Sequence, residues 1–195
     1  MFIGQPPGDV GVLLPGNAID CWGDGLTAAT GATLPSGGYV SRLRQARAGR
    51  GVTNFGIGGQ TSQQVVDRMP GDKVMGRNGI VLAWIGRNGV GSGGSLIDKV
   101  IVQHERAVAN LAAGGDYLPC TITPTEIETA GSAILAANTA IKSTYPNTID
   151  LFMVLATEPN GTMDLQAYTI RWFARGIALP HFGSFRSRLL NRRPL

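Results

Sequence analysis

The sequence predicts an α/β domain with a parallel sheet covered by helices, and three observations lead there. Apolar runs of strand length alternate with segments of helical periodicity along most of the 195 residues. The runs are almost continuously apolar, as expected for strands buried on both faces. Gly, Asn or Asp bounds each of them, which stops one element before the next begins. Such alternation implies right-handed crossovers and places functional groups in the loops at the carboxyl ends of the strands.

Five strands are expected, at Ile19–Trp22, Val52–Phe55, Ile80–Ile85, Tyr117–Ile122 and Ile149–Leu155. Helices are expected at about 38–48, 60–69, 95–113 and 125–145. The third helix has the clearest start, because Ser95 followed by Asp98 resembles a capping box. Its apolar positions Ile97, Val100, Ile101, Val108 and Leu111 recur at helical spacing, and Gly114-Gly115 ends it. Pro146 stops the fourth helix. Pro119 falls inside the fourth strand, where it removes a ladder hydrogen bond and would mark a bulge. Residues 1–16, with three prolines and four glycines, read as an extended arm, residues 17–185 as the domain, and residues 186–195 as a basic tail.

Composition narrows the function classes. A hydrophobic content of 43% with 15% charged residues fits one globular domain with a substantial core. No apolar run approaches the roughly 20 residues that cross a bilayer. Val10–Leu14 is too short for a secretory signal and follows no basic residue, so no membrane partner is expected and the compartment stays open. The net charge of +4 gathers at Arg42, Arg44, Arg47 and Arg50, and at Arg186, Arg188, Arg192 and Arg193. No nucleic-acid motif or interleaved aromatics accompany these arginines, which therefore read as a solvated helix face and a polar tail. Cys21, Cys120, His104 and His181 lack metal-ligand spacing, so neither a zinc site nor a cofactor is implied.

Three loops carry a more specific signal. Trp22-Gly23-Asp24-Gly25-Leu26-Thr27 follows the first strand, Asn54-Phe55-Gly56-Ile57-Gly58-Gly59 the second, and Gly86-Arg87-Asn88-Gly89 the third. Near the C-terminus stands Arg175-Gly176-Ile177-Ala178-Leu179, with Gly183 five residues after Ala178. In order and location these segments resemble the GDSLT, NxGxxG, GxND and DGIHL blocks of the SGNH (GDSL-type) hydrolases. The resemblance spans Ile19 to about Gly183. It implies a three-layer, flavodoxin-like fold with strand order 2-1-3-4-5, the third strand lying between those of Cys21 and Cys120.

What the resemblance implies chemically is acyl transfer from small acyl or O-acetyl esters. A serine attacks the ester carbonyl, a histidine takes its proton, and an aspartate orients the histidine. Backbone N–H groups and an asparagine amide hold the oxyanion. In this chain Gly25 occupies the nucleophile position, Arg175 the aspartate position and Ala178 the histidine position, while Gly89 replaces the aspartate of GxND. Gly59 and Asn88 match the oxyanion donors, which are expected to converge with the Gly25 N–H. Glycine offers no nucleophile and alanine no base, and the arginine cation cannot orient an imidazole. Loss of nucleophile and base lowers comparable enzymes by on the order of a million-fold.

His181, three residues beyond Ala178, is the candidate substitute base, set against a plain loop histidine beside Phe182. Thr27, Thr30, Ser62 and Ser92 are hydroxyls near the crevice; Thr27 and Ser62 read as helix caps or loop ties. Asp24 reads as a loop-fixing acceptor and His104 as a structural mid-helix residue. Three readings stay open. The chain is an impaired esterase, a non-catalytic module holding a glycan or acylated small molecule, or a structural domain in a homo-oligomer or larger assembly.

Overall fold

A computed structural model of the protein describes residues 18–32, 37–71, 75–76, 79–124 and 128–155. The elements in chain order are β1 (Ala18–Gly23), α1 (Gly25–Ala28), α2 (Tyr39–Ala46), β2 (Val52–Gly56), α3 (Ser62–Asp67), β3 (Gly79–Trp84), α4 (Leu96–Ala109), β4 (Asp116–Pro119), α5 (Glu128–Thr144) and α6 (Leu151–Leu155). Four strands form one parallel sheet in the order β2-β1-β3-β4. The expected arm at 1–16 and tail at 186–195 lie outside the described residues. Among the described residues no helix is long and apolar enough to cross a membrane.

Period-two alternation sends successive strand residues to opposite layers. Ile19 and Cys21 of β1 and Leu82 and Trp84 of β3 join Val40 and Leu43 of α2 on one face. Trp22 and Val81 pack with Val65 and Val66 of α3 and Ala107 of α4 on the other. A third cluster, with Val100, Ile134, Ala137 and Ile141, joins α4 to α5. Because both faces are covered, the strands need apolar residues at every position, which explains the continuous runs in the sequence.

The fifth strand expected at Ile149–Leu155 is corrected. Ile149 makes a single parallel bridge to Cys120, and the chain then turns into α6. Asp150 decides the switch: its carboxylate accepts the Met153 N–H (3.2 Å), the Thr121 hydroxyl (3.2 Å) and the Lys142 ammonium (2.9 Å). Thr121 Oγ1 in turn accepts the Phe152 N–H (2.8 Å). An acidic cap ahead of a short apolar run starts a helix, and periodicity alone cannot distinguish the two outcomes.

The fourth strand is also shorter than expected and ends at Pro119 without an inserted residue. The Cys120 N–H donates to Ala83 O (2.8 Å), whereas Pro119 O accepts from Ile149 N (2.8 Å). A residue in a parallel strand directs its N and O to the same side. The imino nitrogen of Pro119 therefore faces the side where pairing consists of one bridge, and the β3 ladder is unaffected. Beyond it, the buried Asn138 of α5 replaces a strand partner. Its Oδ1 accepts the Ile122 N–H (2.7 Å) and its Nδ2 donates to Ile122 O (2.9 Å).

The helix expected at 95–113 ends at Ala109, because Leu111 is drawn into a bridge with Met75. Ser95 caps its start through the Asp98 N–H (3.3 Å). The full reciprocal capping box lies instead at Thr61 and Gln64, ahead of α3.

Cys21 and Cys120 are free, fully buried, and separated by β3. Burial pushes the Cys21 thiol up to about 12, and burial followed by the neighbouring Cys21 raises that of Cys120 further. Thiolate is the reactive form. Both thiols are therefore expected to stay unmodified by an aromatic disulfide reagent at pH 8 in the native protein, and to react on unfolding. Rapid native labelling of either would contradict their placement.

Candidate functional site

Three loops meet at the carboxyl ends of β1, β2 and β3. The first begins at Asp24, buried beside Gly25, whose Oδ1 accepts the Leu26 N–H (3.0 Å) and so caps α1. The second loop approaches the first closely. A Cβ on Gly56 would stand 2.2 Å from Ala28 N, so only glycine permits the contact. Asn54 fastens the pair, its Nδ2 donating to Thr27 O (3.0 Å) while its Oδ1 accepts the Gly56 N–H (2.9 Å).

Arg68 braces the second loop from α3. Its Nε donates to Gln60 Oε1 (2.8 Å) and an Nη to Phe55 O (2.9 Å). Its guanidinium lies 5.3 Å from the centre of Trp22, which stacks on Phe55 at 4.2 Å. The guanidinium thus sits over an aromatic face, a favourable cation–π placement.

The third loop turns at Gly86 (φ 114) into a short 3-10 turn over Arg87–Gly89. The Asn88 side chain points back across the crevice. Its Nδ2 donates to Asp24 Oδ2 (3.0 Å) and to Gln60 O (2.9 Å), next in sequence to Gly25 and Gly59 respectively. Both amide hydrogens are thereby engaged. In contrast, no hydrogen bond among the described residues uses the N–H of Gly25 or Gly59. Burial raises the Asp24 carboxyl above the usual range, opposed by the Leu26 N–H and the Arg87 cation. Among the described residues, no group of three or more His, Cys, Asp or Glu side chains could hold a metal ion.

Solved structures share this arrangement of a parallel sheet flanked by helices. A member of the lipolytic protein G-D-S-L family from Veillonella parvula DSM 2008 matches with a TM-score of 0.59 at 15% identity, over 84% of this chain and 98% of that one. The lipase/acylhydrolase from Enterococcus faecalis matches with a TM-score of 0.57 at 15% identity, over 80% and 92%. AlinE4, an SGNH-hydrolase family esterase, matches with a TM-score of 0.56 at 16% identity, over 74% and 82%. The fold is that of the SGNH and G-D-S-L lipolytic proteins. No protein-family model matches the sequence, and no curated protein matches it.

On this SGNH-like fold the sequence-derived site divides in two. The loops holding Gly25, Gly59 and Asn88 come together at one end of the sheet, with Asn88 linking the other two. Arg175, Ala178 and His181 lie outside the described residues. Of the hydroxyls, Thr27 is fully buried and accepts from Tyr39 OH (3.2 Å). Ser62 is buried at the start of α3, and Ser92 Oγ donates to Gly89 O (2.8 Å) and accepts from Lys99 (3.0 Å). Thr30 is exposed. His104 is fully buried in α4, away from the loops, with Nδ1 2.6 Å from Tyr117 OH. Sequence reasoning assigned no role to the Gln60 carbonyl or to Arg68. A backbone acceptor and a bracing cation leave no local sequence mark.

Proposed function

We propose that this chain is an SGNH-type ester-hydrolase scaffold that receives an acylated small molecule or glycan at its crevice without hydrolysing it at an enzymatic rate. The observation that carries this reading is the pair Gly25 and Asn88. The nucleophile position has no side chain, and the amide that would meet an oxyanion is held by Asp24 and Gln60. An oxyanion could recruit Asn88 only by displacing one of those acceptors, which weakens the preorganisation on which such sites depend. Among the described residues, the Gly25 and Gly59 N–H groups have no acceptor and can meet a carbonyl oxygen. Arg175 and Ala178 at the remaining triad positions supply neither an orienting carboxylate nor a base.

The expected result with p-nitrophenyl acetate or butyrate is no turnover above the buffer rate. Hydrolysis at or above ~1 s⁻¹ by a preparation free of contaminating esterase would overturn the reading. Its second arm rebuilds the triad with Gly25→Ser, Arg175→Asp and Ala178→His. A Cβ on Gly25 would stand 3.3 Å from Thr30 Oγ1, a tight contact that an exposed side chain can relieve. The rebuilt protein is expected to gain measurable esterase activity. Its failure, in a folded variant, would remove the ester-hydrolase ancestry and leave the fold.

A further inference from the structure

We infer that Thr30 supplies the hydroxyl that position 25 lacks, as the side chain that hydrogen-bonds the carbonyl of a bound acyl group. The inference rests on the crevice reading above and names the group that would set its ligand class.

Thr30 is turned back over the start of α1 by an unusual backbone. Ala29 adopts the left-handed conformation (φ 62, ψ 34) and is the only non-glycine residue with positive φ among those described. Outside glycine this conformation costs roughly 1–2 kcal/mol, so the surrounding contacts must hold it. They do. The N–H groups of Ala29 and Thr30 both donate to Gly25 O, the latter at 2.9 Å. Gly38, ahead of α2, lies so close to Ala29 that a Cβ there would stand 2.4 Å from the Ala29 Cβ.

The reversal delivers the Thr30 hydroxyl to the seam between the first and second loops. Its Oγ1 is 3.3 Å from where a Cβ would stand on Gly25, and also 3.3 Å from where one would stand on Gly58. It thus overhangs the space that the two glycines leave open, beside the position a nucleophilic serine would take. The other hydroxyls of the region are buried or bonded, whereas Thr30 is exposed and its Oγ1 has no hydrogen-bond partner among the described residues. A hydroxyl there can donate to a carbonyl or carboxylate oxygen. It is not assigned as a nucleophile: no base among the described residues contacts it, and both oxygens of the neighbouring Asp24 carboxylate already accept hydrogen bonds.

The test is an amide-resolved NMR titration of the full chain with ethyl butyrate and, separately, sodium butyrate. Wild type, Thr30→Val, which keeps the shape and removes the hydroxyl, and Thr30→Ser, which restores it, are compared. Saturable shifts of the Gly25, Gly58 and Gly59 amides with ethyl butyrate are expected in wild type and Thr30→Ser. Binding about five-fold weaker is expected in Thr30→Val, the size of one neutral hydrogen bond. If wild type and Thr30→Val bind within two-fold, the role of Thr30 falls while the crevice reading stands. If wild type shows no saturable shift at the three glycines, both fall. Saturation by butyrate but not by the ester would replace the ester carbonyl with a carboxylate and overturn the assignment to an acyl ester.

Discussion

Asn138→Leu is expected to destabilise the fold by about 2–6 kcal/mol, although leucine is apolar and shares the branched outline of asparagine. The Asn138 amide satisfies both backbone groups of Ile122 at 2.7 and 2.9 Å, in a region where Ile122, Thr121 and Asn138 are all buried. Leucine leaves a buried N–H and a buried C=O without partners, each costing about 1–3 kcal/mol. For a chain of this length the loss lowers the melting temperature by roughly 4–24 °C. Asn138→Asp separates the two bonds, since a carboxylate can still accept the Ile122 N–H but cannot donate to its carbonyl. It should fall below wild type in stability and carry the added penalty of a buried charge. Urea unfolding of the two variants decides the matter, and a loss under 1 kcal/mol for Asn138→Leu would mean that the clamp is not needed to terminate β4.

Acid should weaken the fold through His104, by about 3 kcal/mol between pH 7 and pH 4. The imidazole is fully buried, packed edge-on against Tyr117 and tilted against Tyr145. Its Nδ1 meets the Tyr117 hydroxyl at 2.6 Å, and its Nε2 has no hydrogen-bond partner among the described residues. Burial lowers its pKa from 6.5 to about 4. Below pH 6.5 the unfolded chain therefore binds a proton that the folded chain refuses. Stability is fully present above that value, falls as the pH drops, and levels off below about 4. A span of about 2.5 units corresponds to about 3 kcal/mol. Asp20 and Asp24 act in the opposite sense, because burial raises both carboxyls. The comparison that isolates the histidine is wild type against His104→Gln, followed by urea unfolding from pH 7.5 to 4. Equal pH slopes in the two proteins would show that His104 is not the titrating group.

The elements most legible in the sequence were those whose burial requires a long apolar pattern. β1, β2 and β3 fall within a residue of their expected bounds, because each is covered on both faces and bounded by residues that break strands. The region after β4 was less legible. Asp150 stands before Leu151 in the sequence as a usable cap, but an apolar run of that length fits a buried strand equally well. Which state forms depends on Thr121 and Lys142, which engage Asp150 from other elements.

The sequence by itself determined the layered α/β architecture and the loops in which a site would form, because period, turn residues and glycine spacing are local properties. It also determined that Gly25 brings no nucleophile to the first loop, since side-chain chemistry is fixed by identity alone. The tertiary structure decided what the remaining groups do. Asn88 reads in sequence as a free donor, yet folding places its amide between Asp24, 64 residues away, and Gln60, 28 residues away. Thr30 was one hydroxyl among four until the left-handed turn at Ala29 set it beside Gly25 and Gly58 while folding buried or bonded the others. Hydrogen-bond engagement and exposure arise from contacts between segments remote in the chain, so only the assembled loops could distinguish an occupied donor from an available one.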